Sequence, residues 1–260
     1  MSEAVLSVSG LSKRFSRNGK TFAALEDVSF DIARGETLAL VGPSGSGKST
    51  VARLVLRLIE PDSGEIYFKN ENFLALQGEK LRKIRSEIQM VFQDPLDAFN
   101  PRATVARVLD DPLRIHKIAE RSARPRMIGE LLERVGLAPE LASRAIHEIS
   151  GGQRQRVAIA RAIATKPALI VLDEAVSALD VSVRAQIIDL LVALQKSDNI
   201  AYLFISHDLG LVRAIANRVA IMEQGRIVET GDARTVISNP QSAIGKALVA
   251  AAPRIRRNAE

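Results

Sequence analysis

The 260-residue sequence contains no cysteine. That absence rules out disulfides, thiolate metal ligands and iron–sulfur clusters. Aromatic residues are scarce, at 4% of the chain, so base-stacking platforms for nucleic acid are few. Long apolar runs are missing as well. The longest, such as Ala168 to Leu172 and Ala247 to Ala252, fall far short of the roughly 20 residues that cross a bilayer. The N-terminus, MSEAVLSVSG, has neither a basic n-region nor a long apolar stretch, so a secretory signal is not expected and a cytoplasmic location is. Charge is mildly unbalanced, with 36 Lys and Arg against 30 Asp and Glu, a net +6. The excess is spread along the chain, apart from Arg-rich pieces at Arg121 to Arg126 and Arg254 to Arg257. We read these as solvated surface rather than nucleic-acid contacts; an anionic membrane face would also suit them. The remaining composition, 47% hydrophobic and 25% charged, can bury a sizeable core, in one large domain or in a core with an inserted subdomain.

The stretch that organises the chain is Gly42-Pro43-Ser44-Gly45-Ser46-Gly47-Lys48-Ser49-Thr50, which fits G-x-x-x-x-G-K-[ST]. Thr37 to Val41 before it reads as a buried strand. Val51, Leu54, Val55 and Leu58 after it fall on one helical face, and Pro61 ends the run. A loop joining a strand to a helix start exposes N–H groups to an anion. Glycines let that backbone close around oxygens. Lys48 can reach β- and γ-phosphates, and Ser49 can place its hydroxyl on Mg²⁺.

Residues 1 to 35 read as strands with turns. Phe15 precedes a polar turn and Phe22 follows it; either ring could stack on a base. Asp62-Ser63-Gly64 reads as a hairpin turn before the strand Glu65 to Phe68. A charged helix from Glu79 to about Ser86 leads into the strand Ile88 to Phe92, which ends at Gln93. From residue 100 to 150 the β-type alternation disappears and helical patterns replace it, as in a small helical insert. His116 and His147 lie there without ligand spacing. Ser150-Gly151-Gly152-Gln153 then opens a helix through Ala164, a second helix start that could meet an anion. Ala168 to Leu172 reads as a central parallel strand, ending in Asp173-Glu174. Two acids at the carboxyl end of such a strand can serve one metal and one water. Ser177-Ala178-Leu179-Asp180 follows as a turn. After a helix and the strand Tyr202 to Ile205, His207 stands just past the strand end. Residues 217 to 230 read as a hairpin around Gln224-Gly225, and the tail as partly helical.

In this order, the loop at 42–50, Gln93, SGGQRQR at 150–156, ALIVLDE at 168–174, SALD at 177–180 and His207 resemble the ATP-binding subunit of ABC transporters. The resemblance covers about residues 5 to 253. MVFQDPLDAFNPR at 90–102, HEISGGQRQR, DEAVSALDVS at 173–182 and FISHDL at 204–209 resemble, more closely, the importers of dipeptides, oligopeptides and nickel. Ala175 departs from the proline common in relatives. Asn239-Pro240-Gln241 departs from the His-Pro-Tyr of peptide-type members, and the cysteine cluster of some tails is missing.

The resemblance implies an α/β P-loop NTPase fold with a mostly parallel sheet, an N-terminal antiparallel β region and an inserted α-helical subdomain. The nucleotide-binding core would span 1–93 and 154–235, the insert 94–153 and the tail 236–260. ATP and Mg²⁺ are the implied cofactors. Phe15 would stack on adenine. Gly42, Pro43, Ser44, Gly45, Ser46, Gly47, Lys48, Ser49 and Thr50 would hold the phosphates. Ser49 and Gln93 would coordinate Mg²⁺, with Asp173 supporting it through water. Glu174 would orient and deprotonate the attacking water, and His207 would contact the γ-phosphate. Ser150, Gly151, Gly152 and Gln153 would approach the nucleotide of a second subunit, with Asp180 at the same seam. The implied partners are that second ATPase subunit, preferably a non-identical one, two integral-membrane permease subunits and, indirectly, an external solute-binding protein. Nucleic acid is not among them. A peripheral position on the inner face of a bacterial inner membrane follows. Two other readings stay open: a soluble ABC-type ATPase acting on DNA or ribosomes, and a regulatory nucleotide-binding module without turnover.

Overall fold

The computed structural model describes residues 4–17 and 19–251, so the basic stretch Arg254 to Arg257 lies outside the described residues. Two sheets are built. The first is antiparallel, in the order β2 (Lys20–Ala33), β1 (Ala4–Arg17), β4 (Ser63–Phe68), β5 (Glu71–Asn72). The second contains β3 (Thr37–Val41), β6 (Ile88–Val91), β7 (Leu169–Asp173), β8 (Ala201–Ile205), β9 (Arg218–Glu223) and β10 (Arg226–Asp232). Its order is β10-β9-β3-β8-β7-β6, parallel throughout except for β10.

The central strands read as unbroken apolar runs because both of their faces are buried. Alternate residues serve two separate cores. Ala39, Val41, Ile170, Leu172, Tyr202 and Phe204 face one core. The helices α3 (Val105–Ile115), α4 (Arg124–Arg134), α5 (Gly151–Ile163), α6 (Val181–Asp198) and α7 (Leu209–Ile215) pack on that side. Leu38, Leu40, Leu169, Val171, Leu203 and Ile205 face the other, under α1 (Lys48–Val55), the antiparallel sheet and Ile84 of α2 (Gly78–Glu87). Each fully buried Leu or Ile of this kind contributes about 1.5–3 kcal/mol. Residue 153, where the sequence reading divides insert from core, falls in the first turn of α5, and α5 packs on α3, α4 and α6. The chain closes with α8 (Ala233–Ser238) and α9 (Ala243–Ala251).

Two local expectations are corrected. Leu58 was expected on the buried face of α1, but it is 61% exposed. The helix stops at Val55 because Arg57 turns left-handed (φ 50°), and its guanidinium donates to the carbonyls of Phe73 and Leu76 at 3.0 and 2.6 Å. The hairpin turn is Lys69-Asn70, both at positive φ, between β4 and β5; it is not Asp62-Ser63-Gly64. Gly64 has another task. At φ 99° it lies inside β4, and a Cβ there would sit 2.6 Å from the backbone of Gly10. It lets β4 press against the irregular part of β1. Gly64→Ala is therefore expected to cost at least about 1 kcal/mol, read as a fall of roughly 2–4 °C or more in Tm. An unchanged Tm would mean that β4 shifts freely.

Candidate nucleotide site

β3 delivers the loop at 42–50 to the carboxyl edge of the parallel sheet, and α1 begins at Lys48. The loop is pressed from behind by its own protein. A Cβ on Gly47 (φ 108°) would lie 2.7 Å from Leu25 Cδ2 and 2.8 Å from the carbonyl oxygen of Ala24. The glycine requirement thus comes from β2 as well as from any ligand in front. Lys48 is 7% exposed, and its Nζ donates to the carbonyls of Gly42 and Pro43 at 2.9 Å each. Burial lowers its pKa, and the charges of Glu174 and Asp173 push the other way. Ser46 is buried beside it, and Pro43 belongs to the loop through its carbonyl.

The acids meet this loop from the neighbouring strands. Asp173 ends β7 and pairs in register with Ile205. Burial raises the pKa of its carboxyl, and the charge of Glu174 raises it further. Lys48, Arg53 and a hydrogen bond from Ser49 oppose that rise. Two adjacent acids at one strand end repel each other, so a cation beside them would be stabilised. Glu174 itself turns left-handed (φ 49°), an arrangement that costs a non-glycine residue about 1–3 kcal/mol and persists only when its surroundings hold it. Its N–H donates to Ile205, and its carbonyl accepts from both the N–H and the Oγ of Ser177, at 3.0 and 2.9 Å. Glu174 Oε1 lies 3.3 Å from Nδ1 of His207, which stands two residues beyond β8.

The hairpin β1–β2 leans over the loop. Phe15 and Phe22 are directly paired across it, with ring centroids 6.0 Å apart. Both rings line a cavity of about 430 Å³ together with Gly42, Ser44, Gly45, Gly47, Lys48, Ser49, Thr50, Glu174 and His207. Ala23 and Ala24 complete the wall. No motif marked Ala23 and Ala24; they are found only through the folded position of β2, which sets Ala24 behind Gly47.

Some candidates stand elsewhere. Gln93 lies beyond β6, which pairs Val91 with Leu172, so it stands at the same sheet edge as the acids. It is exposed and does not line the cavity. Ser150, Gly151, Gly152, Gln153 and Asp180 do not line it either. Ser150 and Gln153 form a capping box: Ser150 Oγ accepts from Gln153 N–H at 3.2 Å, and Gln153 Oε1 accepts from Ser150 N–H at 2.9 Å. A Cβ on Gly152 would lie 2.8 Å from Val183 Cγ1, so this helix start is packed on the first turn of α6. Ser150, Gly151, Asp180 and the 80% exposed Val181 are open to solvent.

The sequence pattern that describes the ABC transporter family matches residues 25–177. The chain belongs to the ABC transporter family. Within it, the glutathione import ATP-binding protein GsiA of Salmonella paratyphi A is 51% identical over 258 residues; the match covers 96% of this chain and 41% of that protein. The chain thus spans about two fifths of the length of that relative. A protein of Sinorhizobium fredii named as a probable peptide ABC transporter ATP-binding protein is 48% identical over 97% of this chain and 74% of its own length. Among solved structures, the dimeric post-hydrolysis state of the ATP-binding cassette MJ0796 with ADP and Pi superposes at a TM-score of 0.79, with 30% identity, covering 88% of this chain and 99% of that one. The cassette cbiO1 of Clostridium perfringens, part of a cbiONQ transporter complex, superposes at 0.80 with 29% identity, covering 91% and 92%. The ABC cassette here shares their overall fold, and no helix among its described residues is long and apolar enough to cross a membrane.

Proposed function

We propose that this cassette hydrolyses ATP to drive import of a small, peptide-like solute through a membrane permease, and that it does so as one half of a nucleotide sandwich. The observation that carries the reading is the Glu174–His207 pair on the wall of the cavity formed by the phosphate loop. The loop N–H groups and Lys48 hold the phosphates. Glu174 orients the attacking water and takes its proton, and His207 contacts the γ-phosphate. Phosphoryl transfer spreads charge over equatorial oxygens, so positioning and positive charge do most of the work. The residues fit Mg²⁺: among the described residues no cluster of three or more acids and histidines could hold a metal alone, whereas the hydroxyl of Ser49, Gln93 and Asp173 suit an ion that also binds phosphate oxygens. When bound, that ion would offset phosphate charge.

The open face carrying Ser150, Gly151 and Asp180 would meet the nucleotide of the partner subunit, because it lies off this chain's own cavity. A non-identical partner is the preferred arrangement. The segment from Gln93 into the insert would meet the permease. Met90, Phe92, Pro95, Phe99 and Arg161 line a small hollow there of about 160 Å³, and Phe92 and Leu96 are each 37% exposed. The cassette would then sit peripherally on the inner face of the membrane. The relatives' glutathione and peptide names favour a peptide-like cargo, and give no support to a nucleic-acid role. The test is fractionation of the tagged protein from its own cells. It should sediment with membranes and copurify with two integral-membrane proteins. Recovery with ribosomes or DNA instead would overturn the transport reading.

Phe15 is assigned to the adenine. Phe22 lies beside it, half exposed, and would act as a buttress. Stacking on an aromatic is worth roughly 1–3 kcal/mol. Phe15→Ala should weaken ATP binding about tenfold, near 1.4 kcal/mol, while Phe15→Tyr retains it. Phe22→Ala should have a smaller effect. Titration with a fluorescent nucleotide decides, and a loss confined to Phe22→Ala would exchange the two roles.

A further inference from the structure

Arg184 matches no motif, yet its guanidinium clasps the turn that begins at Glu174 and faces the segment that bears His207. It sits in the first turn of α6 and folds back on the turn before that helix. Its Nε donates to the carbonyl of Leu179 at 2.6 Å, and its Nη2 to the carbonyl of Ser177 at 2.8 Å. A planar guanidinium can hold two carbonyls two residues apart at once; an ammonium is a single point of charge. The clasped turn starts at Glu174, whose carbonyl is already held by Ser177. It ends at Asp180, whose carbonyl accepts from Arg184 N–H at 2.9 Å and whose side chain makes no cap of its own. On its far side the guanidinium lies 3.9 Å from Asp208 Oδ2. Asp208 is a firm anchor: its Oδ1 accepts from the N–H groups of Gly210 and Leu211 at 2.8 and 3.3 Å, and its N–H donates to Ser206 Oγ at 3.0 Å. It also follows His207 directly.

We infer that Arg184 is a positioning residue that fixes the turn bearing Glu174 and Asp180 relative to the segment bearing His207. It does not line the cavity, so it acts through these groups and not on the nucleotide. Its effect falls on the step that needs Glu174 and His207 in register, and on the approach of Asp180 to the partner subunit. The inference rests on the hydrolytic reading proposed above.

The test compares Arg184→Ala, Arg184→Lys and Asp208→Asn in steady-state ATP hydrolysis. Displacements near 1 Å at a reacting site can cost about a hundredfold, so Arg184→Ala should lose about 10- to 100-fold in kcat. KM and the ATP affinity of the monomer should stay within about twofold of the parent, since ground-state binding is untouched. Arg184→Lys, able to reach one carbonyl, should fall between. Asp208→Asn keeps the cap on α7 and removes only the charge facing Arg184. It should lose a smaller part of kcat, and nothing further when added to Arg184→Ala. Wild-type kcat in Arg184→Ala overturns the inference. So does a joint fall of kcat, monomer affinity and Tm, which would make the clasp only structural. Glu174→Gln measured alongside separates the two levels. If Glu174→Gln turns over normally, the hydrolytic reading itself fails. If it is inactive while Arg184→Ala is not, only the role of Arg184 fails.

Discussion

Glu174→Gln should bind ATP as the parent does and lose hydrolysis by about a hundredfold or more. The substitution keeps the size and reach of the side chain. Among the described residues it removes the one carboxylate on the cavity wall beside His207, so the attacking water would lose its proposed proton acceptor. It also removes the second of the two effects that raise the pKa of Asp173, so the neighbouring acid should ionise more readily and metal binding should not weaken. The loss therefore appears in kcat rather than in affinity. If hydrolysis is what opens the proposed ATP-closed dimer, the ATP-bound form should accumulate. Phosphate release at saturating ATP checks this, and near-parental turnover would remove Glu174 from the chemistry.

Ser150→Arg and Lys48→Ala should fail in opposite ways. Lys48 is buried within the loop that lines the cavity, and its loss would remove the proposed charge-assisted contact to phosphate. ATP affinity of the monomer should fall by about ten- to a hundredfold. Ser150 lies outside that cavity on an open face. Arg there places a bulky cation where a partner's γ-phosphate is proposed to arrive, so hydrolysis should be abolished while monomer affinity holds. One confounding effect can be sized. Ser150 also caps α5, and losing a cap costs about 1 kcal/mol, or roughly 2–4 °C in Tm. A drop of that size is expected and leaves the fold intact. Equal loss of monomer affinity in both variants would mean that SGGQ serves its own chain's nucleotide, or only the capping of α5.

Much of the site was legible because its signals are local. The run Thr37 to Val41 is a strand since both faces are buried, and the loop's glycines and lysine follow it contiguously, although the contacts that a Cβ on Gly42 or Gly47 would make with Met222, Leu25 and Ala24 are not local. The acids were marked by their place at the end of an apolar run. What was not legible depends on distant pairing. Leu58 has the spacing of a buried residue, but the positive φ of Arg57 and the carbonyls of Phe73 and Leu76 end the helix first. Gly64 has the look of a turn residue, and its reason lies in the backbone of Gly10, 54 positions earlier in the chain, against which it packs. Phe15 and Phe22 were legible as rival candidates for the base, but that both line one cavity follows from their pairing across β1 and β2. Arg184 carries no signature; its meaning lies in carbonyls presented by a folded turn.

Two cassettes are proposed to close around ATP, with the open face of each completing the other's site. The most direct measurement is the mass of the Glu174→Gln cassette in sedimentation, with and without saturating ATP and Mg²⁺, alone and together with its co-purified partner subunit. A monomer is expected without nucleotide and a two-subunit species with it, in one of those two preparations, and its loss when Ser150→Arg is added. A cassette that binds ATP and stays monomeric in both preparations would contradict it.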